Sequence, residues 1–191
     1  VTITNCSNSG EIKADDSDDG TGAGGIVGKF AARGYDVSND ESWARKTLII
    51  ESCSNSGEIT GIGSDHCGGG GICGSYAFYS NEKSTNRITN CSNTGGINGR
   101  GGGGICGSYC CNTGNANIGN VTIEYCYSTG KLTRGCSGGI VGSYCGGNMR
   151  VMYCYYNYTT NDIENNSLGG ITGSNCAIII FNCYSIFDRN G

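Results

Sequence analysis

The chain is a succession of short apolar pieces separated by small polar turns. One kind of piece has an apolar residue three positions before a cysteine, as in ITNC from Ile3, and leads into a turn of Ser, Asn and Gly. A second kind reads GGIxG and first occurs at Gly24. Short pieces of this kind, rich in β-branched residues and bounded by Gly, Asn and Ser, predict short β-strands rather than helices.

The two pieces alternate as a repeat of about five and a half units. The cysteines of the first piece, which we call column one, are Cys6, Cys53, Cys91, Cys126, Cys154 and Cys183. They are separated by 47, 38, 35, 28 and 29 residues, so the core unit has about 28 residues and the early units carry insertions, first at Lys29–Lys46. We therefore interpret 1–191 as a single repeat domain, with units at about 1–46, 47–86, 87–120, 121–149 and 150–178 and a partial unit at 179–191.

No unit of this size can bury its apolar residues alone, but stacked units can. Coils wound about one axis would align equivalent residues about 4.8 Å apart in parallel sheets. The sequence thus predicts an all-β fold, a β-solenoid that resembles a parallel β-helix, with the paired glycines at corners where positive φ or close backbone approach excludes a Cβ. A β-propeller is the alternative, but its blades need about 40 residues each. The predicted apolar ladders are Ile3, Ile50, Ile88, Ile123, Val151 and Ile180, and Ile26, Ile72, Ile105, Ile140 and Ile171.

Composition narrows the functional classes. Gly contributes 36 residues and Pro none, without the G-X-Y period of collagen. The net charge of −4 provides no basic face for phosphates, so we expect no nucleic-acid partner. We expect no membrane span, because no apolar run approaches the roughly 18 residues that a spanning helix needs. The chain opens on VTITNC without a signal-peptide pattern, so an exported form would be a mature chain or a fragment.

Fourteen cysteines are the strongest indication of compartment. At this density we expect disulfides and an extracellular, secreted or surface location, including a virion surface. Structural metal is the weaker interpretation, since there is no C-x-x-C and His66 is the one histidine, and buried thiols of an intracellular or viral product are a further alternative. Outside column one the disulfide candidates are Cys67, Cys73, Cys106, Cys110, Cys111, Cys136, Cys145 and Cys176.

The pairing of these cysteines stays open. Stacked coils place equivalent Cα atoms within the 4.4–6.8 Å or so that a disulfide tolerates, so links within a column are possible, for example Cys73 to Cys106. Links across the core are equally possible. The adjacent Cys110 and Cys111 should point to opposite faces of a strand, which makes Cys111 a candidate for a link to a neighbouring subunit, with a partner in the same chain as the alternative.

Five N-x-S/T sequons are candidate glycosylation sites: Asn5, Asn90, Asn120, Asn157 and Asn165. Asn5 and Asn90 occupy the same repeat position and would present glycans in register if that position faces outward. The competing interpretation is an inward ladder with Asn182, because strict alternation places these residues on the face of the preceding isoleucine.

Metal and catalytic signals are weak. The run of Asp15, Asp16, Asp18 and Asp19 suits calcium by its carboxylates but lacks the spaced pattern of an EF-hand, so a solvated loop is favoured and we expect no metal or cofactor. The other acids are scattered, and His66 has no partner that would form a nucleophile and base pair. We expect no catalytic residues and no enzyme, with a polysaccharide-active β-helix as a minor alternative.

The NCYSTG-like and GGIVG-like segments resemble the GLUG-type repeats of bacterial surface proteins, and related Gly-rich repeats of adhesins and giant-virus proteins. The resemblance covers nearly the whole chain and implies an extracellular, non-enzymatic repeat region. The many cysteines depart from that pattern.

These observations predict a structural role. With no polar cap at either end, the chain is expected to stack head to tail with copies of itself into an extracellular fibre or surface layer. The alternative is the repeat region of a cell-surface or virion adhesin, binding glycans or a host surface through the inserted loops Lys29–Lys46 and Tyr76–Asn86.

Overall fold

The computed structural model describes residues 1–14, 22–32, 47–61, 68–78, 85–112, 120–159 and 168–188. Within these ranges the regular elements are all β-strands and no helix occurs. The strands are β1 (Thr2–Thr4), β2 (Ser7–Asn8), β3 (Ile12–Ala14), β4 (Ile49–Glu51), β5 (Ser54–Asn55), β6 (Ile59–Gly61), β7 (Thr85–Thr89), β8 (Ser92–Asn93), β9 (Ile97–Asn98), β10 (Asn120–Glu124), β11 (Tyr127–Ser128), β12 (Asn148–Met152), β13 (Tyr155–Thr159), β14 (Ile179–Phe181) and β15 (Tyr184–Asp188).

The strands form three parallel sheets, and each strand pairs with its equivalent in the next repeat. The first sheet has the order β1-β4-β7-β10-β12-β14, the second β2-β5-β8-β11-β13-β15 and the third β3-β6-β9. We call the set of equivalent positions from successive repeats a column, and one repeat's share of the sheets a rung. The prediction of an all-β fold with parallel pairing between repeats is confirmed.

The GGIxG pieces also pair between rungs, although they are not strands. They meet in isolated parallel bridges, such as Gly70 to Gly103 and Cys73 to Cys106. Between the bridges each isoleucine N–H donates to the isoleucine carbonyl of the next rung, for example Ile72 to Ile105 at 3.0 Å. The pieces were predicted as strands, but each is too short to extend beyond these bridges.

Both predicted apolar ladders are in register. In the first sheet Ile50 pairs with Ile88, Ile88 with Ile123 and Ile123 with Val151. These four side chains are 0% exposed. Full burial of such a side chain stabilises the fold by about 1.5–3 kcal/mol. Stacking of the repeats therefore supplies the core that no repeat can form alone.

The paired glycines are needed for close approach and not for positive φ. A Cβ on Gly103 would lie 1.9 Å from the carbonyl oxygen of Cys106, and one on Gly24 would lie 2.0 Å from that of Val27. Among the described glycines only Gly101 and Gly147 have positive φ. Of the two reasons expected to exclude a Cβ at the paired glycines, positive φ or close backbone approach, close approach is therefore the one that applies in the described repeats.

Left-handed backbone occurs instead at residues other than glycine. One column of them, which we call the corner residues, directly precedes column one and joins the first sheet to the second. Their N–H groups donate to the next rung, as Ser52 does to the Thr89 carbonyl at 3.0 Å, so the turn leaves the N–H paired. The corner residues, with φ between 49° and 55°, are Asn5, Ser52, Asn90, Tyr125, Tyr153 and Asn182.

Replacing the exposed corner residue Ser52 tests the cost of this conformation. We expect Ser52→Val to lower the free energy of unfolding by about 1–2 kcal/mol, because a β-branched side chain is strained at positive φ, and Ser52→Gly to change it little. Guanidinium unfolding followed by circular dichroism measures both. Ser54→Val, an exposed strand position two residues later, is the control and should have little effect. Equal losses from the two valine variants would contradict the assignment.

Candidate functional site

Column one lines the inner side of the corner. Cys53, Cys91, Cys126 and Cys154 are 0–1% exposed, whereas Cys6 at one end of the column is exposed. No disulfide joins any of the thirteen cysteines that the structure describes. Cys67 lies outside the described residues. The disulfide prediction therefore stays a prediction.

Each column-one thiol after Cys6 makes the same two contacts. Cys91 Sγ donates to the carbonyl oxygen of Thr89 at 3.3 Å and lies 3.8 Å from that of Ile50 in the preceding rung. Cys126 repeats both contacts, with Glu124 at 3.3 Å and Ile88 at 3.7 Å. The thiol thus bridges the carbonyl at its own corner and a carbonyl of the rung before it.

The other described cysteines share their columns with small residues that cannot cross-link. Cys73 and Cys106 stand in line with Val27, Val141 and Thr172. Cys110 likewise follows Ala31 and Ala77, since residues next to them pair rung by rung, as Cys111 N–H does with the Ala77 carbonyl at 2.9 Å. Core packing is therefore sufficient to account for a residue of this size in the column of Cys73. In the column of Cys110, Cys145 and Cys176 also donate to the carbonyl oxygens two residues earlier, at 3.5 and 3.6 Å.

Cys111 does not face outward, and its expected role in a link to another subunit is corrected. Its side chain is 0% exposed, and burial raises its pKa to about 12. The backbone has φ 56° at this position and forms a turn. The alternation of strand side chains, on which the expectation rested, does not apply to a turn.

The candidate glycosylation sites within the described residues are exposed. Asn5 and Asn90 are corner residues, as is Asn182, and all three side chains point away from the core. The interpretation of these three as an inward ladder is therefore wrong, because left-handed backbone interrupts strand alternation at the corner. Asn120 in β10 and Asn157 in β13 are also exposed. Asn165 lies outside the described residues, and glycan occupancy stays a prediction.

An inward asparagine ladder does exist, two residues after column one. Asn8 Nδ2 donates to Asn55 Oδ1 at 2.7 Å, and Asn55 Nδ2 donates to Asn93 Oδ1 at 2.8 Å. Each Nδ2 also donates to a glycine carbonyl two residues later, as Asn93 does to Gly95 at 2.9 Å. Sequence reasoning missed this ladder, although the recurring CSN triplet marks it.

The second glycine of each pair makes room for this inward column. A Cβ on Gly71 would lie 2.3 Å from Cγ of Asn93, and one on Gly139 would lie 2.1 Å from Cγ of Tyr156. Tyr156 occupies the same column and is fully buried. The glycine pairs and the inward side chains are therefore two halves of one packing contact.

Tyrosines form stacks along the outside. The tyrosines after GGIxGS stack with ring centroids 4.7 Å apart for Tyr76 and Tyr109 and 5.0 Å apart for Tyr109 and Tyr144. Two further stacks flank the corner, and the YCY spacing could have shown them. In the first, the ring centroids of Tyr125 and Tyr153 are 5.1 Å apart, and Phe181 meets Tyr153 edge-on. In the second, the ring centroids are 5.1 Å apart for Tyr127 and Tyr155 and 5.4 Å apart for Tyr155 and Tyr184.

These stacks present ring edges more than ring faces. A sugar packs best on an open aromatic face, whereas an offset stack of rings stabilises the fold by about 0.5–1.5 kcal/mol per pair. The arrangement therefore favours tyrosine as cover for the strands.

Several predicted features fall outside the described residues. They are the acidic run Asp15, Asp16, Asp18 and Asp19, the histidine His66, and most of the inserted loops. In the part of the chain that the structure describes, no group of three or more His, Cys, Asp or Glu is placed to hold a metal ion. Nor does any helix there have the length and apolar character to cross a bilayer.

The last rung leaves an apolar edge. Ile180 is 46% exposed, although its ladder partners further inside are fully buried, and Tyr184 in β15 is 55% exposed. At the opposite edge Ile3 is only partly buried. We call this apolar surface the C-terminal edge, formed by Ile179, Ile180, Phe181, Tyr184 and Ile186.

Comparison with known proteins gives a fold and no family. No protein-family profile and no curated protein matches this chain. A solved structure described as a putative immunoglobulin A1 protease from Bacteroides ovatus is similar, with 21% sequence identity and a TM-score of 0.53 over 99% of this chain. This chain spans 60% of the length of that one. At this identity the likeness shows a shared fold alone, and the GLUG resemblance stays a prediction.

The buried asparagine ladder can be tested by truncation. We expect Asn93→Ala to lower the free energy of unfolding by about 2–4 kcal/mol, because it removes three buried hydrogen bonds, one of which serves the amide of Asn55. Asn8→Ala, in the same column but only half-buried, is the control and should lose less than half as much. Denaturant unfolding measures both, and equal losses would contradict a role for burial.

Proposed function

We propose that the chain is a non-enzymatic structural protein, a β-solenoid that stacks head to tail with copies of itself. The observation that carries the proposal is the C-terminal edge. The apolar ladder is buried in the interior rungs, but its last residue is exposed at this edge. Ile180 is 46% exposed, against 0% for Val151, its partner in the rung before. Another rung would bury it.

The N-terminal edge carries the same types of residue, at the same repeat positions, as a further rung after the C-terminal edge would carry. Ile3 and Cys6 at the N-terminal edge stand at the same repeat positions as Ile180 and Cys183, and Asn5 and Asn182 are both corner residues with positive φ. If β1 of one copy paired with β14 of another in the parallel register of the interior, Ile3 would cover Ile180. Such a contact joins different surfaces of the two copies and extends the stack without closing it.

Neither edge strand of the first sheet carries the charges that usually prevent edge pairing, although β3 of the third sheet holds Lys13 and β15 of the second sheet ends on Asp188. β1 reads TIT and β14 reads IIF, without Lys, Pro or an acidic residue. An extended, apolar and uncharged edge favours addition of a strand from another chain.

An extracellular location for this role remains a prediction that rests on cysteine count and sequons. The protease named for the neighbour in fold gives no catalytic residue for this chain at 21% identity. The loops of the adhesin alternative lie mostly outside the described residues, so that alternative stays a prediction.

Sedimentation velocity over a range of concentrations tests the proposal. We expect the mass to rise from 19.7 kDa towards a series of multiples as concentration increases. Ile180→Lys should stay near the monomer mass, because it would bury a charge against Ile3 of the next copy. Thr85→Lys, an exposed position of β7 inside the first sheet and away from both edges, is the control and should associate as the unchanged chain does.

A mass that stays at the monomer at every concentration would overturn the proposal. So would a closed dimer, or association that Ile180→Lys leaves unchanged. Electron microscopy of the associated fraction should show unbranched rods.

A further inference from the structure

Column one repeats one hydrogen-bond geometry at every rung. Each Sγ donates to the carbonyl oxygen of the residue two positions earlier, across the corner residue. The distances are 3.4 Å from Cys6 to Thr4, 3.3 Å from Cys53 to Glu51, 3.3 Å from Cys91 to Thr89, 3.3 Å from Cys126 to Glu124, 3.1 Å from Cys154 to Met152 and 3.4 Å from Cys183 to Phe181.

The accepting carbonyl sits where the chain leaves the first sheet. The oxygen of Thr89, for example, accepts from the N–H of Ser52 at 3.0 Å and also from Cys91 Sγ. The position is dry, since Cys91 is 0% exposed. A thiol suits it because it is small, mostly apolar and still a weak donor.

Neighbouring thiols in the column are poorly placed for a disulfide. In-register parallel strands displace equivalent atoms by about 4.8 Å, and the two Cα–Cβ bonds point the same way. A disulfide needs Cβ atoms about 3.5–4.5 Å apart and converging. The Cα criterion that admitted these pairs in the sequence is met, but the Cβ criterion requires the strands to move.

The residues in the other cysteine-containing columns show whether cysteine is required there or only fits the space. Cys110 lies in line with Ala31 and Ala77, and the column of Cys73 also holds valine. Alanine is thus accepted there, whereas column one has cysteine in all six rungs. In the column of Cys110, Cys145 and Cys176 also donate to the carbonyl oxygens two residues earlier, at 3.5 and 3.6 Å, but alanine fills the same position in two rungs. Column one differs in that a thiol donor recurs in every rung.

We propose that column one is a ladder of reduced thiols, in which each S–H holds the corner by donating to the carbonyl two residues earlier. In this arrangement the sulfurs are structural donors, and disulfides between column neighbours are incompatible with the stacked fold. The ladder replaces the expectation of disulfides for these six residues and is independent of self-association. Burial raises the pKa of Cys126 well above its usual value and also raises that of Cys53, whereas the hydrogen bond with the Cys126 thiol lowers the pKa of Cys91 and of Cys154.

Thiol–disulfide exchange tests the ladder directly. An accessible thiol that attacks oxidised glutathione forms a mixed disulfide and releases one reduced glutathione; a second thiol would displace the other to close a disulfide. The folded chain, purified without reductant at a concentration where it is monomeric, is exposed to oxidised glutathione. It is then unfolded in guanidinium with an alkylating reagent, digested and analysed by mass spectrometry.

We expect glutathione on Cys6 and the alkyl group on Cys53, Cys91, Cys126 and Cys154. Disulfide-linked peptides between any two column-one cysteines, in protein with an unchanged circular dichroism spectrum, would overturn the proposal. Because the chain is kept monomeric in this experiment, Cys6 at the N-terminal edge stays accessible whether or not the chain associates at higher concentration.

A matched pair of variants tests the hydrogen bond. Cys91→Ala and Cys73→Ala remove the same atoms from equally buried sites, but Cys73 stands in a column that valine also fills, and only the first variant removes a corner donor. We expect a lower guanidinium midpoint for Cys91→Ala than for Cys73→Ala, and partial recovery for Cys91→Ser. Equal midpoints for the two alanine variants would overturn the role of the S–H. If Cys91→Ala does not fold, Cys6→Ala and Cys6→Ser at the exposed end give the same comparison.

Discussion

Parallel pairing in register at a fixed spacing is the constraint on which this structure depends. It places each side chain directly against its equivalent in the next rung, so each column must hold residues that pack on themselves at about 4.8 Å. Isoleucine meets this condition by burial, asparagine by donating an amide N–H to the next amide oxygen, and tyrosine by stacking. The described columns use all three solutions, on different sides of the same rung.

The corners between the sheets are the energetically unfavourable part of this arrangement. A rung must turn sharply between sheets, and the turn falls on residues with positive φ such as Ser52 and Tyr125 rather than on glycine. Strain of about 1–2 kcal/mol at such a position is offset because its N–H bonds to the next rung and the following thiol donates to its neighbour's carbonyl. Glycine is reserved for places such as Gly71 and Gly139, where an inward side chain occupies the space of a Cβ.

The sequence predicted the parallel stacking and both isoleucine ladders because each ladder position keeps a fixed distance from a cysteine or a glycine pair. It did not predict which way side chains face at the corners. Asn90 and Cys111 were assigned by strand alternation, and both occupy left-handed backbone that alternation does not describe. Since asparagine, serine and tyrosine all occupy the corner, residue type there does not reveal the conformation. The ladder through Asn55 and Asn93 was not predicted for a related reason: the segments that contain these residues have the composition of a polar turn, which gives no sign that a side chain faces inward.

Cysteine shows why count and position carry different information. The number of cysteines alone, fourteen in 191 residues, indicates cross-linking by disulfides. Within column one, cysteine recurs for the same reason that isoleucine recurs in its ladders. The surroundings of the position are the same in every rung, so the residue type that fits one rung fits the others. A site beside a turn carbonyl in a dry core needs a small apolar side chain with one weak donor. The regular recurrence of column one therefore follows from the repeat itself, and no pairing between its members is needed to explain it.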